Sequence, residues 1–107
     1  MQQPTLTLEQ AKAIVETKKA PRVTEASITA KIKNTQYLVL HGNLTICIIT
    51  MANGFMVTGV SAPASPANFD EEVGRRYAYD NAFKPLWQLE GYLLREHLSG
   101  MGDDHDN

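Results

Sequence analysis

Hydrophobic and polar positions divide this chain into three regimes. The first is sparse and helically spaced, the second dense and β-branched, and the third helically spaced again with prolines and glycines set into it. The dense regime starts at Gln36 and breaks into Gln36–His41, Leu44–Met51 and Phe55–Ser61. Leu44, Ile46 and Ile48 alternate with Thr45, Cys47 and Ile49, so the middle segment is apolar on both faces of a strand. His41-Gly42-Asn43 and Ala52-Asn53-Gly54 separate the segments, and Asn-Gly is a two-residue hairpin signal because both positions tolerate positive φ. The pattern predicts a three-stranded antiparallel meander with its second strand central. Helices would cover one face and something else, such as a second subunit, the other.

Before the sheet, Thr7-Leu8-Glu9-Gln10 has the form of a capping box, in which hydroxyl and amide side chains satisfy the first free N–H groups. A helix from about Leu8 to Lys18 follows, ending before Pro21. Its stripe of Leu8, Ala11, Ile14 and Val15 is narrow, which fits loose docking or docking on another subunit. Thr24 caps the next segment, Glu25–Lys33. Ile28 and Ile32 at i,i+4 favour helix there, and the alternation of Ile28, Ala30 and Ile32 with polar neighbours is the strand alternative. Helix is the preferred reading.

After the sheet, Ser61–Ala67 contains two prolines and reads as an ordered hinge. Asn68 is placed to cap a long helical arm with Glu71 at its third position and Asp70, Glu71 and Glu72 near the positive end of the dipole. Val73, Tyr77, Ala78 and Ala82 form the expected inner stripe. Gly74 costs roughly 1 kcal/mol against Ala in a helix, which implies a close neighbour. Pro85 is expected to bend or restart the arm, Leu86, Leu89, Leu93, Leu94 and Leu98 continue its apolar face beside Trp87 and Tyr92, and Gly100 and Gly102 end it. The fold class expected is α+β, with one domain over 1–99 and a disordered acidic tail over 100–107.

Length and charge narrow the classes of function. A chain of 107 residues supports one domain of modest stability, which oligomerisation would reinforce. A net charge of −2 argues against a dedicated binder of long nucleic acid. Residues 1–34 carry six Lys/Arg against three Glu, and residues 35–67 carry no charge at all. The lone Cys47 has no disulfide partner and sits among isoleucines as a small hydrophobe, which fits a reducing compartment. Neither a signal-peptide pattern nor a membrane-length apolar run is present, so a soluble protein is expected.

Candidate chemistry is thin. The three histidines lack ligand spacing, and Asp103-Asp104-His105-Asp106 reads as a solvated tail rather than a metal site. Ser61, Ser65 and Cys47 lack a nucleophile elbow or a local base, so no catalytic residue is expected and the protein is read as a non-enzyme without cofactor. Asp70, Glu71 and Glu72 serve the helix dipole. Arg75 and Arg76 offer planar forks suited to phosphate oxygens, against the alternative of salt bridges with Glu71, Glu72 and Asp80. Phe55, after the second turn, is either core or a stacking face.

Three runs taken together resemble a known family: Asn53-Gly54-Phe55-x-Val57-x-Gly59-x-Ser61, then Ser65-Pro66-Ala67-Asn68-Phe69-Asp70-Glu71-Glu72-Val73-Gly74-Arg75, then Trp87-x-Leu89-Glu90-Gly91-Tyr92-Leu93-Leu94. They are similar to small tailed-phage proteins, a family that includes the Thoeris anti-defence protein one, over about residues 22–98. The resemblance implies a sponge that binds glycocyclic ADP-ribose uncleaved in the cytoplasm of the infected host, with cyclic trinucleotides as further ligands, and that works as a homo-oligomer. It favours Phe55 and Ser65 as ligand contacts. Asn68, Phe69, Arg75, Arg76 and Arg95 are candidates to complete the site through hydrogen bonds, stacking and pyrophosphate contacts. Ser65 is shorter than the Asn common in relatives, and Val60-Ser61-Ala62-Pro63 replaces their Glu-Ser-Ala-Cys.

Overall fold

The fold follows from one antiparallel sheet and one long helix laid across it. The computed structural model describes residues 3–102. Its elements are α1 (Leu8–Glu16), α2 (Glu25–Thr29), β1 (Ile32–Leu40), β2 (Leu44–Met51), β3 (Met56–Ser61) and α3 (Glu71–Gly102), with a 3-10 turn at Pro66–Asn68 in the hinge. The sheet order is β1-β2-β3 and both pairs are antiparallel, so the charge-free β2 is central as its two apolar faces predict.

The register assigns every side chain to a face. Tyr37, Cys47 and Gly59 lie in one row across the strands and Thr35, Ile49 and Val57 in another, both under α3. Leu38, Ile46 and Val60 form a row on the opposite face, where Leu38, Leu40, Met56 and Val60 are exposed. The core is therefore one-sided. Ile28, Cys47, Ile49, Met51, Val57, Ala78, Ala82, Phe83 and Leu86 are its buried apolar members.

Close packing of α3 depends on small residues. A Cβ on Gly59 would sit 2.2 Å from the Ala82 nitrogen and 2.3 Å from the Ala78 oxygen, so the helix backbone rests on the strand backbone there. A Cβ on Gly74 would meet Thr45 Oγ1 at 2.6 Å, which is the close neighbour that this glycine implied. These contacts set the inner face as Gly74, Ala78, Ala82, Phe83 and Leu86. Val73 and Tyr77, expected on that stripe, are 49% and 59% exposed, because the glycine and alanine line is the one that lets the backbones approach.

Four local expectations are corrected. Glu25–Lys33 is not one helix: α2 stops at Thr29 and Ile32 already pairs with Met51 in β1, so the strand alternative holds for the end of the segment. Here tertiary pairing outweighs helix propensity. Asn68 does not cap α3. It closes the 3-10 turn, and Asp70 Oδ1 accepts from the Val73 N–H at 3.0 Å at the true start. Pro85 does not restart the arm, since α3 runs through it as one helix. The Asn53-Gly54 connection is not a two-residue turn, because Gly54 alone has positive φ (+93°), whereas His41 (+54°) and Gly42 (+80°) both do in the first connection. Asn53 Oδ1 instead accepts from the Phe55 N–H at 2.9 Å and shapes a longer loop.

Two capping boxes are present, Thr7 with Gln10 and Thr24 with Ser27. α1 ends at Glu16, short of Lys18, and buries none of its residues. α3 runs on through Gly100, which was expected to stop it and to open the tail, as far as Gly102, the last described residue; the acidic residues 103–107 lie outside the described part. No helix among the described residues is long and apolar enough to cross a membrane.

Candidate functional site

The hinge turns the chain so that α3 runs back along the sheet, antiparallel to β3, and this separates the two ends of the molecule chemically. At one end lie the hinge, the start of α3 and Tyr37. At the other, α3 continues past the sheet beside the β2–β3 connection.

The hinge end gathers most of the sequence-predicted residues. Ser65 is exposed, with no capping bond from its side chain, and its carbonyl accepts from Asn68 N–H at 2.9 Å. Phe69 is half-buried, its ring edge 3.6 Å from where a Gly74 Cβ would stand, so the ring packs beside the start of α3. Arg75 donates to Glu71 at 3.0 Å and holds its guanidinium 5.6 Å from the Tyr37 ring centroid. Arg76 forks onto both carboxylate oxygens of Asp80 and stands 5.6 Å from the Tyr79 ring. Asp80, through hydrogen bonding and then charge, holds the Arg76 guanidinium above its ordinary pKa. Both arginines thus make the i,i+4 pairs weighed as their alternative, on exposed side chains where solvent and salt screen such pairs and leave them little net strength. A competing anion can therefore displace them at small cost.

Where α3 crosses the sheet, Tyr37, Cys47 and Tyr79 form a protonated group. Burial pushes the Cys47 thiol up, against the hydrogen bond from Tyr37, which lowers it. Burial first, and then nearby Cys47 and Tyr79, pushes the Tyr37 phenol up, while Arg75 opposes. Tyr79 is raised by burial, against Arg76. A fully buried, protonated thiol is a poor nucleophile, so this cluster is structural.

Phe55 stands at the other end. From Phe55 to Ser61 the strand covers about 20 Å, so one chain does not bring Phe55 to Ser65, Asn68, Phe69 or Arg75. Arg95 lies farther out on α3, about 30 Å along the helix from Arg75. Phe55 is 54% exposed at the lip of a cleft of about 480 Å³. Met51, Leu86, Leu89 and Leu93 give that cleft an apolar floor, and Asn53, Tyr92, Lys31 and Glu90 bring polar groups to it. Lys31 Nζ meets Glu90 Oε1 at 2.6 Å, forming a wall between this cleft and a second of about 370 Å³ lined by Arg22, Val23, Ser27, Leu94 and His97. The Ala52 N–H donates to the Lys31 carbonyl at 2.7 Å, which fixes the β2–β3 connection against the α2–β1 junction and so fixes the cleft's mouth.

Sequence reasoning found Phe55 and missed Lys31, Asn53, Glu90 and Tyr92 as its neighbours. Lys31 and Glu90 are 59 positions apart, and no local pattern couples them. Asn53 was legible as a turn residue only. Among the described residues there is no cluster of three or more His, Cys, Asp or Glu with metal-holding geometry.

A one-sided meander under a single long helix, with an aromatic cleft where that helix overhangs the sheet, defines a small α+β protein built around an open pocket. The chain belongs to the Phage protein (N4 Gp49/phage Sf6 gene 66) family, which it matches over residues 23–98, from just before α2 to near the end of α3. No curated protein and no solved structure matches it.

Proposed function

We propose that this phage-family protein is a sponge that binds a cyclic nucleotide immune signal, glycocyclic ADP-ribose foremost, and sequesters it uncleaved in the host cytoplasm. The observation that carries the reading is the 480 Å³ cleft with the exposed Phe55 at its lip. Its volume lies within the roughly 300–1,000 Å³ typical of small-molecule sites, and its apolar floor with few polar groups suits a nucleobase. The three runs that resemble the anti-Thoeris sponge include Phe55 itself.

Phe55 and the hinge serve one ligand only if they come from different copies. The reading therefore includes a homo-oligomer in which the Phe55 cleft of one protomer faces the Ser65, Asn68, Phe69 and Arg75/Arg76 end of another. The arginines then exchange Glu71 and Asp80 for pyrophosphate oxygens.

A melt series tests the reading with glycocyclic ADP-ribose, ADP-ribose and a cyclic tri-adenylate. Ligand at ~100 times its dissociation constant adds about 2.7 kcal/mol to folded-state stability, a clear rise in melting temperature. Chromatography of ligand released by heat should return it intact, and a cleaved product would mean an enzyme instead. No shift with any of the three sinks the sponge. A second reading, a module that docks a host protein, is favoured by the exposed Leu38, Leu40, Met56 and Val60 on the open sheet face. It gains if nucleotides leave the melt unchanged.

A further inference from the structure

Two side chains in the Phe55 cleft have no assigned purpose, and both are placed where a flat heterocycle would need them. Tyr92 is 71% exposed, the most exposed aromatic side chain of α3, yet it lines the same cleft as Phe55. Glu90 lies on the same stretch of helix with only 16% of its side chain exposed, at the wall of the cleft. Among the described residues its one hydrogen-bond partner is Lys31 Nζ, which takes Oε1 and leaves Oε2 free to accept. Asn53 has its Oδ1 committed to the Phe55 N–H, so its amide presents a donor. The cleft thus combines two aromatic rings from distant elements, an apolar floor, one free carboxylate acceptor and one amide donor.

We propose that Tyr92 and Glu90 make this cleft a reader of amino-bearing purines: Phe55 and Tyr92 supply aromatic surface to the base, and Glu90 Oε2 accepts a hydrogen bond from its exocyclic amino group. This rests on the nucleotide-binding reading above and names which base it selects. A carboxylate with no proton can only accept, so an oxygen aligned with the amino position favours the amino group there. The deaminated base presents a carbonyl at that position, with its N–H moved to the ring nitrogen beside it, so two acceptors face each other unless the base shifts. Lys31 is part of the device, because its ammonium bonds Oε1 and holds the carboxylate at the wall of the cleft. A purely structural Lys31–Glu90 pair would be indifferent to the base.

The experiment compares glycocyclic ADP-ribose with its hypoxanthine counterpart by calorimetric titration of the full chain. The wild type should bind the adenine form at least about tenfold more tightly, the discrimination that one well-made base contact supplies. Glu90→Gln, whose amide can both donate and accept, should bring the two affinities to within about threefold. Tyr92→Leu should weaken both ligands about tenfold or more while leaving their ratio unchanged, and Tyr92→Phe should bind as the wild type does, since stacking needs the ring and not the hydroxyl. Wild-type affinities within threefold of each other overturn the inference with no variant needed, which covers the case of a variant that does not fold. Preserved selectivity in Glu90→Gln, or undiminished affinity in Tyr92→Leu, overturns it while the sponge stands. A wild type that binds neither probe nor any other adenine nucleotide overturns both.

Discussion

Gly59 and Thr45 show how tightly single atoms set this fold. Gly59→Ala would press a methyl into the α3 backbone near Ala78 and Ala82, which no side-chain rotation relieves. It should cost about 3 kcal/mol or more, read as a large drop in urea midpoint or as loss of folded protein. Thr45 presents the opposite case: it is fully buried and its Oγ1 has no hydrogen-bond partner among the described residues. Thr45→Val keeps the shape and removes an unsatisfied hydroxyl, so it should raise stability by about 1 kcal/mol, and a clear loss would reveal a partner for that oxygen. Gly74 was legible in the sequence as a glycine out of place in a helix. Gly59 was not, because a glycine within a strand does not announce which backbone will cross it. A pH prediction also belongs here. Cys47 and Tyr37 ionise at higher pH in the folded chain than in the unfolded one, so above about pH 8.5, where free thiols begin to ionise, the folded state holds more protons. Stability should therefore be full below that point and fall as pH rises through the alkaline range. Cys47→Ala should delay the onset toward pH 10, where the phenols take over, and an unchanged profile would mean that the thiol does not contribute.

Among the elements, two of the three expected caps and the strand alternation were legible. Thr7 with Gln10 and Thr24 with Ser27 mark helix starts through side chains that bond their own backbone, a purely local event that sequence records well. The sheet was legible because β2 is apolar on both faces. What failed was the end of α2, since Ile32 has equal merit on a helix and in a strand until Met51 arrives opposite it. Asn68 failed as a cap for a similar reason: Pro66 starts a 3-10 turn that uses up Asn68 and passes the role to Asp70. The candidate site was legible only as far as its local residue, Phe55. Glu90 and Tyr92 reach it through the return of a long helix, which spacing alone does not encode. α1 offers a clean element-scale test. It buries no residue, so Thr7→Ala should lower helix content slightly by fraying α1, with about 1 kcal/mol lost locally, and leave the global unfolding midpoint unchanged. A midpoint that falls in step would show α1 docked on the body or on another copy.

At the scale of the whole molecule the shape is the strongest clue. The radius of gyration is 18.0 Å with extents of 59 × 38 × 24 Å, against about 13 Å for a compact chain of this length. The excess comes from α1 standing off the body and from α3 overhanging the sheet, so apolar residues that a globule would bury remain at the surface. The open sheet face adds Leu38 at 41%, Leu40 at 42%, Met56 at 60% and Val60 at 53% exposure. Residues 35–67 carry no charge, so two such faces meet with no ionic repulsion and no charge to desolvate. A homo-oligomer is therefore expected, and light scattering at micromolar concentration should give a multiple of the 11.9 kDa chain mass. Leu38 and Val60 flank Ile46 in one row across the three strands. Leu38→Lys together with Val60→Lys would place like charges from each copy at the centre of such an interface, and the mass should fall while circular dichroism stays as before, since neither side chain is part of the core. A monomeric wild type would exclude the composite site formed by Phe55 and the hinge, leaving the cleft of a single chain to bind alone. An oligomer untouched by the double lysine would move the contact from the sheet face to α1 or the overhanging part of α3.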